Sequence, residues 1–179
     1  MLTDDLDVKI AGDKPSEDVR RNKTAPVQNS SVSSEQKKAA IEIGKVVAKS
    51  FIADAETEID PEFSDYDMIV QRRLLLSFTA TAGFEQYIGD DTLDGIAQKS
   101  FLDTLNKHSA ELYKTSCDTG AFSFYYLAFR RGSEVDRRIG QTFAMLCSHD
   151  GDPIFQELGE ALYCWFLSVV RKAVAEYLK

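Results

Sequence analysis

Apolar residues recur at helical spacing from Ala40 to the end of the chain, and they nowhere alternate with polar ones in the manner of a half-buried strand. Ala40, Ile43, Val47, Phe51 and Ala55 mark the inner face of a first helix. It opens at Ser33 or Ser34, where Ser33 and Gln36 have the spacing of a capping box, and it stops before Asp60-Pro61. A second helix follows Ser64, which with Asp67 fits another cap, and runs from Met68 to Ile88 with Gly89 as its stop. Its Ile69, Val70, Leu74, Leu75, Leu76, Phe78, Ala80, Ala82 and Phe84 leave little of its surface polar, the pattern of a helix central to a bundle.

The third helix is expected from Asp90, Asp91 or Thr92 to about Cys117, with Phe101, Leu102, Leu105, Ser109 and Leu112 inward. A fourth begins at Ala121 with Phe122, Tyr125 and Phe129 inward. It either breaks at Gly132-Ser133 or continues through Ile139 and Phe143 to Cys147. Asp152 as N-cap with Pro153 at the first helical position starts the last helix. Its inner stripe is Phe155, Gly159, Leu162, Phe166, Val170, Ala173 and Tyr177. The fold class read from this pattern is all-α: an antiparallel bundle of five or six helices over 34–179. A flexible acidic and polar tail is expected over 1–33, where no periodicity offers enough apolar surface to offset the entropy of ordering.

Composition narrows the function classes. The chain has 179 residues, 44% of them hydrophobic, enough for one sizeable core. Its net charge of −8 disfavours a general grip on nucleic acid, which needs clustered cations, and also disfavours anionic membrane surfaces. No stretch is apolar for long enough to span a bilayer, and no export signal is read in the acidic opening, so a cytoplasmic location is expected. Cys117, Cys147 and Cys164 lie far from any zinc-ribbon or CxxC spacing and read as reduced thiols.

Candidate chemistry is sparse. Asp90-Asp91-Thr92-Leu93-Asp94 resembles, over those five residues, the DDxxD motif of terpenoid and isoprenoid synthases, which implies magnesium and a diphosphate. No second acidic motif accompanies it, and carboxylates at a helix start serve as caps, which is the reading taken here. His108 with Glu111, and Glu157 with Glu160, have metal-ligand spacing, but the order is wrong for a bundle di-metal centre, so no metal and no cofactor are expected. Phosphate loops and a nucleophile elbow are absent from the sequence.

Two carboxylates fall on apolar faces. Glu85 aligns with Leu74, Phe78 and Thr81, and Asp136 lies between Phe129 and Ile139 if the fourth helix is continuous. Buried charges need partners, for which Arg72, Arg73, the helix-four arginines and His108 are the candidates. Together they would line a ligand pocket between helices. Arg130, Arg131, Arg137 and Arg138 form a basic stripe, and Trp165, Tyr163 and Leu167 flank the inner stripe of the last helix, as interface residues do. A protein-interaction or assembly module, paired with itself or with another protein, is therefore the expected function. The alternative is a small-molecule or metal-binding protein or enzyme with a site between helices.

Overall fold

The structure is a computed structural model, which describes residues 32–58, 66–118, 120, 122–130 and 132–178. All regular structure among them is helical: α1 (Ser34–Ala55), α2 (Tyr66–Ile88), α3 (Asp91–His108), α4 (Ala110–Ser116), α5 (Ser123–Phe129), α6 (Val135–Leu146) and α7 (Pro153–Tyr177). The expected tail lies outside the described residues except for Val32 and Ser33, and Val32 packs against the core. Asp60-Pro61, the Ser64 cap and the Ala121 start also lie outside them.

Helix ends follow local chemistry. Ser33 Oγ accepts from the Gln36 amide at 3.1 Å while Gln36 Oε1 accepts from the Ser33 amide at 2.9 Å, a closed capping box. Asp90 Oδ1 accepts from the amides of Thr92 and Leu93, both at 3.0 Å, which puts the DDxxD-like string at a helix cap. Asp152 caps α7 through the Ile154 amide at 2.9 Å, with Pro153 next in line.

Among the described residues seven helices stand where five or six were expected, for two reasons. Ser109 is extended (φ −152°, ψ 121°) and its hydroxyl accepts from the Leu112 amide, so it caps a new helix inside the expected third one. A serine competes in this way because its side chain satisfies an amide that the helix would otherwise bond. The fourth helix takes its broken form: Gly132 has φ +89° and Glu134 φ 52°, left-handed geometry that ends α5 and starts α6 without a side-chain cap.

The core lies around α7, against which α1, α2 and α6 pack, and extends into α3 on the far side of α1 and α2. The most extensive packing is α1 on α3, then α6 and α2 on α7. Leu74 to Ala80 of α2 are all buried, so this helix is enclosed on every side at its middle. Its buried hydroxyls are satisfied: Thr79 donates to the Leu75 carbonyl at 2.7 Å, and Ser77 shares a 2.8 Å hydrogen bond with Ser116. Phe78 is ringed by α5, with Tyr126 at 5.1 Å, Tyr125 at 5.4 Å, Phe122 at 6.0 Å and Phe129 at 6.2 Å between centroids. Phe51 links three helices through Phe101 at 5.8 Å and Phe166 at 6.2 Å. Phe51, Phe78 and Phe166, essentially withdrawn from water, each contribute about 1.5–3 kcal/mol.

Gly44 sets the closeness of α1 and α3. A Cβ there would strike the Ala97 carbonyl oxygen and lie 2.8 Å from Ser100 Cβ and 2.9 Å from the Phe101 amide, while Ser100 donates to the Ile41 carbonyl at 2.8 Å. Gly44→Ala should therefore destabilise the fold by about 1–3 kcal/mol through overpacking. Gly95, also helical but with nothing within 4 Å of a built Cβ, should respond oppositely, Gly95→Ala stabilising by about 0.5–1 kcal/mol. Urea denaturation of the two variants checks both signs.

Candidate functional site

The sequence-predicted pocket residues do not converge. Arg72 donates from Nε and Nη2 to the two carboxylate oxygens of Asp54, at 2.9 and 2.5 Å, tying α2 to α1. Both side chains are largely covered, with 18% and 8% exposure, so this bidentate pair is a structural strut. Arg73 reaches Glu111 of α4 at 2.6 Å. His108, at the end of α3, meets Glu56 at 2.8 Å on the surface.

The expected burial of Glu85 and Asp136 is corrected. Glu85 lies on the last turn of α2 where the helix leaves the bundle, and it is exposed, accepting a 3.4 Å hydrogen bond from the Tyr126 hydroxyl. A carboxylate costs little there because water still solvates it. Asp136 is exposed in the first turn of α6, since the break at Gly132 removes the continuous helix that would have turned it inward. Its charge acts on α7 instead. Burial, with the neighbouring Cys164, Tyr87 and Asp136, pushes the Tyr163 phenol up to about 12. Burial, with Asp136 and Glu160, also raises the Cys164 thiol.

The basic stripe is likewise divided. Arg138 donates from Nε to the Ala128 carbonyl at 3.3 Å, bracing the C-terminal end of α5 where a cation is favoured. Arg130 sits 5.8 Å from the Tyr126 ring centroid, over its face. Arg137 lies 3.7 Å from Glu134, and Arg131 lies outside the described residues. Among the described residues no group of three His, Cys, Asp or Glu side chains is placed to hold a metal, and no helix is long and apolar enough to cross a membrane.

What the structure does gather is an apolar surface on α7. Ile154 is 61% exposed and Trp165 43%, Ala161 is exposed and Leu158 half-buried. With Ser168 and Lys172 these residues follow one another at intervals of four, three, four, three and four. That is the 3.5-residue repeat of a coiled-coil seam, lying beside the buried stripe of Phe155, Leu162 and Phe166. Trp165 stands half out of it, its ring 5.4 Å from Phe166 and tilted by 49°. The sequence singled out Trp165, but Tyr163, expected beside it, is buried and Leu167 is half-buried against the core, and the seam itself was missed. The 4-3 spacing was visible, but it shares the helix with a stronger stripe that faces the core.

The comparisons with known proteins place no relative beside this geometry: no family model, curated protein or solved structure matches the chain.

The ion pairs separate strut from surface. Asp54→Ala, which strands a mostly covered guanidinium, should cost about 2–4 kcal/mol. Glu85→Gln and Asp136→Asn, both at exposed sites, should each stay within about 0.5 kcal/mol of wild type. Equal urea midpoints for the three variants would contradict this division.

Proposed function

We propose that this domain is an assembly module that pairs with a second copy of itself through the outer seam of α7, the two helices running antiparallel. The α7 seam carries the reading. In an antiparallel pairing centred on residue 163, Ala161 faces Trp165 of the second copy, so a small side chain leaves room for the largest one. Leu158 then meets Ser168, and Ile154 lies along the stem of Lys172. The layers are self-complementary, as a two-fold interface requires.

Charge favours the same direction. Glu157 is exposed near the start of the seam, and Arg171 and Lys172 are exposed near its end, with no ion pair inside the described residues. Antiparallel helices place Glu157 beside Arg171 of the second copy twice over. Parallel helices would set Glu157 on Glu157 and Arg171 on Arg171, a repulsive arrangement. Trp165, with a ring half exposed and half anchored on Phe166, has the character of an interface hot spot.

The seam spans roughly five turns, so a dissociation constant on the order of micromolar is expected. Sedimentation equilibrium across a concentration series should give a reversible monomer–dimer curve. Trp165→Asp should shift it to monomer with helix content unchanged. Glu157→Lys should weaken pairing about tenfold, and adding Arg171→Glu to the same chain should restore it, because the exchanged charges pair again. A monomer at every concentration, or a dimer indifferent to Trp165→Asp, overturns the proposal.

A further inference from the structure

A partly enclosed cavity of about 360 Å³ opens between α2, α3, α4 and α5, remote in sequence from the α7 seam. Its wall is largely apolar: Phe84, Phe101 and Phe122 are buried in the core and Leu102 is partly covered. Ser77 and Ser116 also line it, but they bond one another at 2.8 Å, so this part of the wall offers hydroxyls already satisfied and no charge. The volume lies in the range of small-molecule sites, about 300–1,000 Å³. A gap against aromatic faces forfeits dispersion contacts that a ligand ring would restore.

The mouth is charged, and with one sign in excess. Glu85 stands on it with an exposed carboxylate that receives the Tyr126 hydroxyl at 3.4 Å. Gln98, on the opposite helix, lines the cavity and donates to Asp94 Oδ1 at 2.9 Å, which fixes a second carboxylate beside the opening. Burial holds the Asp94 carboxyl above its ordinary range, with Gln98 drawing it down and Asp91 raising it. Burial raises the Tyr126 phenol, both carboxylates raise it further, and the Arg130 guanidinium over that ring opposes them. Two acids against one base leave the mouth negative.

We infer that this cavity is a binding site for a small aromatic amine, the ring lodged among Phe84, Phe101 and Phe122 and the ammonium at the Glu85 carboxylate. The Tyr126 hydroxyl then holds Glu85 as an acceptor, and the ammonium supplies the donors that the carboxylate still lacks. A carboxylate ligand of the same shape meets repulsion at the mouth, and an uncharged one leaves Glu85 unused. Selection by charge is the signature of the site.

Titration of the full-length protein with 2-phenylethylamine, followed by amide NMR and calorimetry, tests this. Shifts should concentrate at Ser77 to Glu85, Gln98 to Leu102, and Ser116, Cys117 and Tyr126. 3-Phenylpropionate should bind at least about tenfold more weakly. Glu85→Gln, at an exposed position, should weaken the amine about tenfold without lowering the unfolding temperature. Leu102→Trp, checked for retained helicity, should fill the cavity and abolish binding. Shifts scattered over the surface, no saturation at millimolar amine, equal affinity for the amine and the acid, or an unaffected Glu85→Gln variant would each overturn the assignment.

Discussion

The bundle is organised around the burial of one face of α7. Phe166 and Val170 are fully out of solvent, and α7 is the helix against which α1, α2 and α6 all pack. A helix is rigid in rotation, so once one stripe is committed to the core every other position on it is assigned as well. The close approach of α6 tightens this commitment: a Cβ at Gly140 would meet the Gln156 backbone carbonyl, so the two helices touch main chain to main chain with no slack. Ile154, Ala161 and Trp165 are therefore held outward by the same packing that stabilises the fold, which makes their exposure a built feature of the molecule.

The other half of the structure follows from α2. Its middle is enclosed by α3, α4, α6 and α7, and α5 grips it through the rings around Phe78. Such tight packing at one level contrasts with the next turn toward its C-terminus, where α4 and α5, each 7 residues long, are too short to close the space beside Phe84. The cavity is the consequence, and Glu85 stands at its mouth because the helix is leaving the core at that point. Tyr125 shows the cost of packing so closely: its hydroxyl is buried without a hydrogen-bond partner among the described residues, and burial raises its phenol far above the ordinary range.

Much of this fold was legible in the sequence because periodicity and caps are local signals. The Ser33–Gln36 box, the Asp152-Pro153 start and the inner stripe of α7 from Phe155 to Ala173 depend on residues within a few positions of one another, whereas Tyr177, expected inward, is exposed where the helix runs past the core. Ser109 carried a cap signal too, but the apolar stripe running past it masked the break. The candidate site was much less legible. Whether Arg72 faces Asp54, or Glu85 faces water, depends on helices distant in sequence, and a phase angle alone assigns a face without saying how far along the helix the core extends. Asp136 failed for a related reason: its inward phase assumed a continuous helix that Gly132 and Glu134 interrupt. The seam on α7 was a matter of competing periods, since a 3.5-residue repeat beside a 3.6-residue stripe reads as general apolarity until the burial of each residue is known.

The pairing we propose sets α7 against its own copy in an antiparallel register centred on residue 163. Dipolar electron resonance tests it most directly, with a spin label on Glu176→Cys, near the exposed end of α7, and Cys117 and Cys164 replaced by serine. Antiparallel pairing puts the two labels at opposite ends of the dimer, roughly 40 Å apart from the helical rise alone. A distance distribution near that value supports the account, whereas labels within about 20 Å, or no coupling between molecules at concentrations well above micromolar, would contradict it.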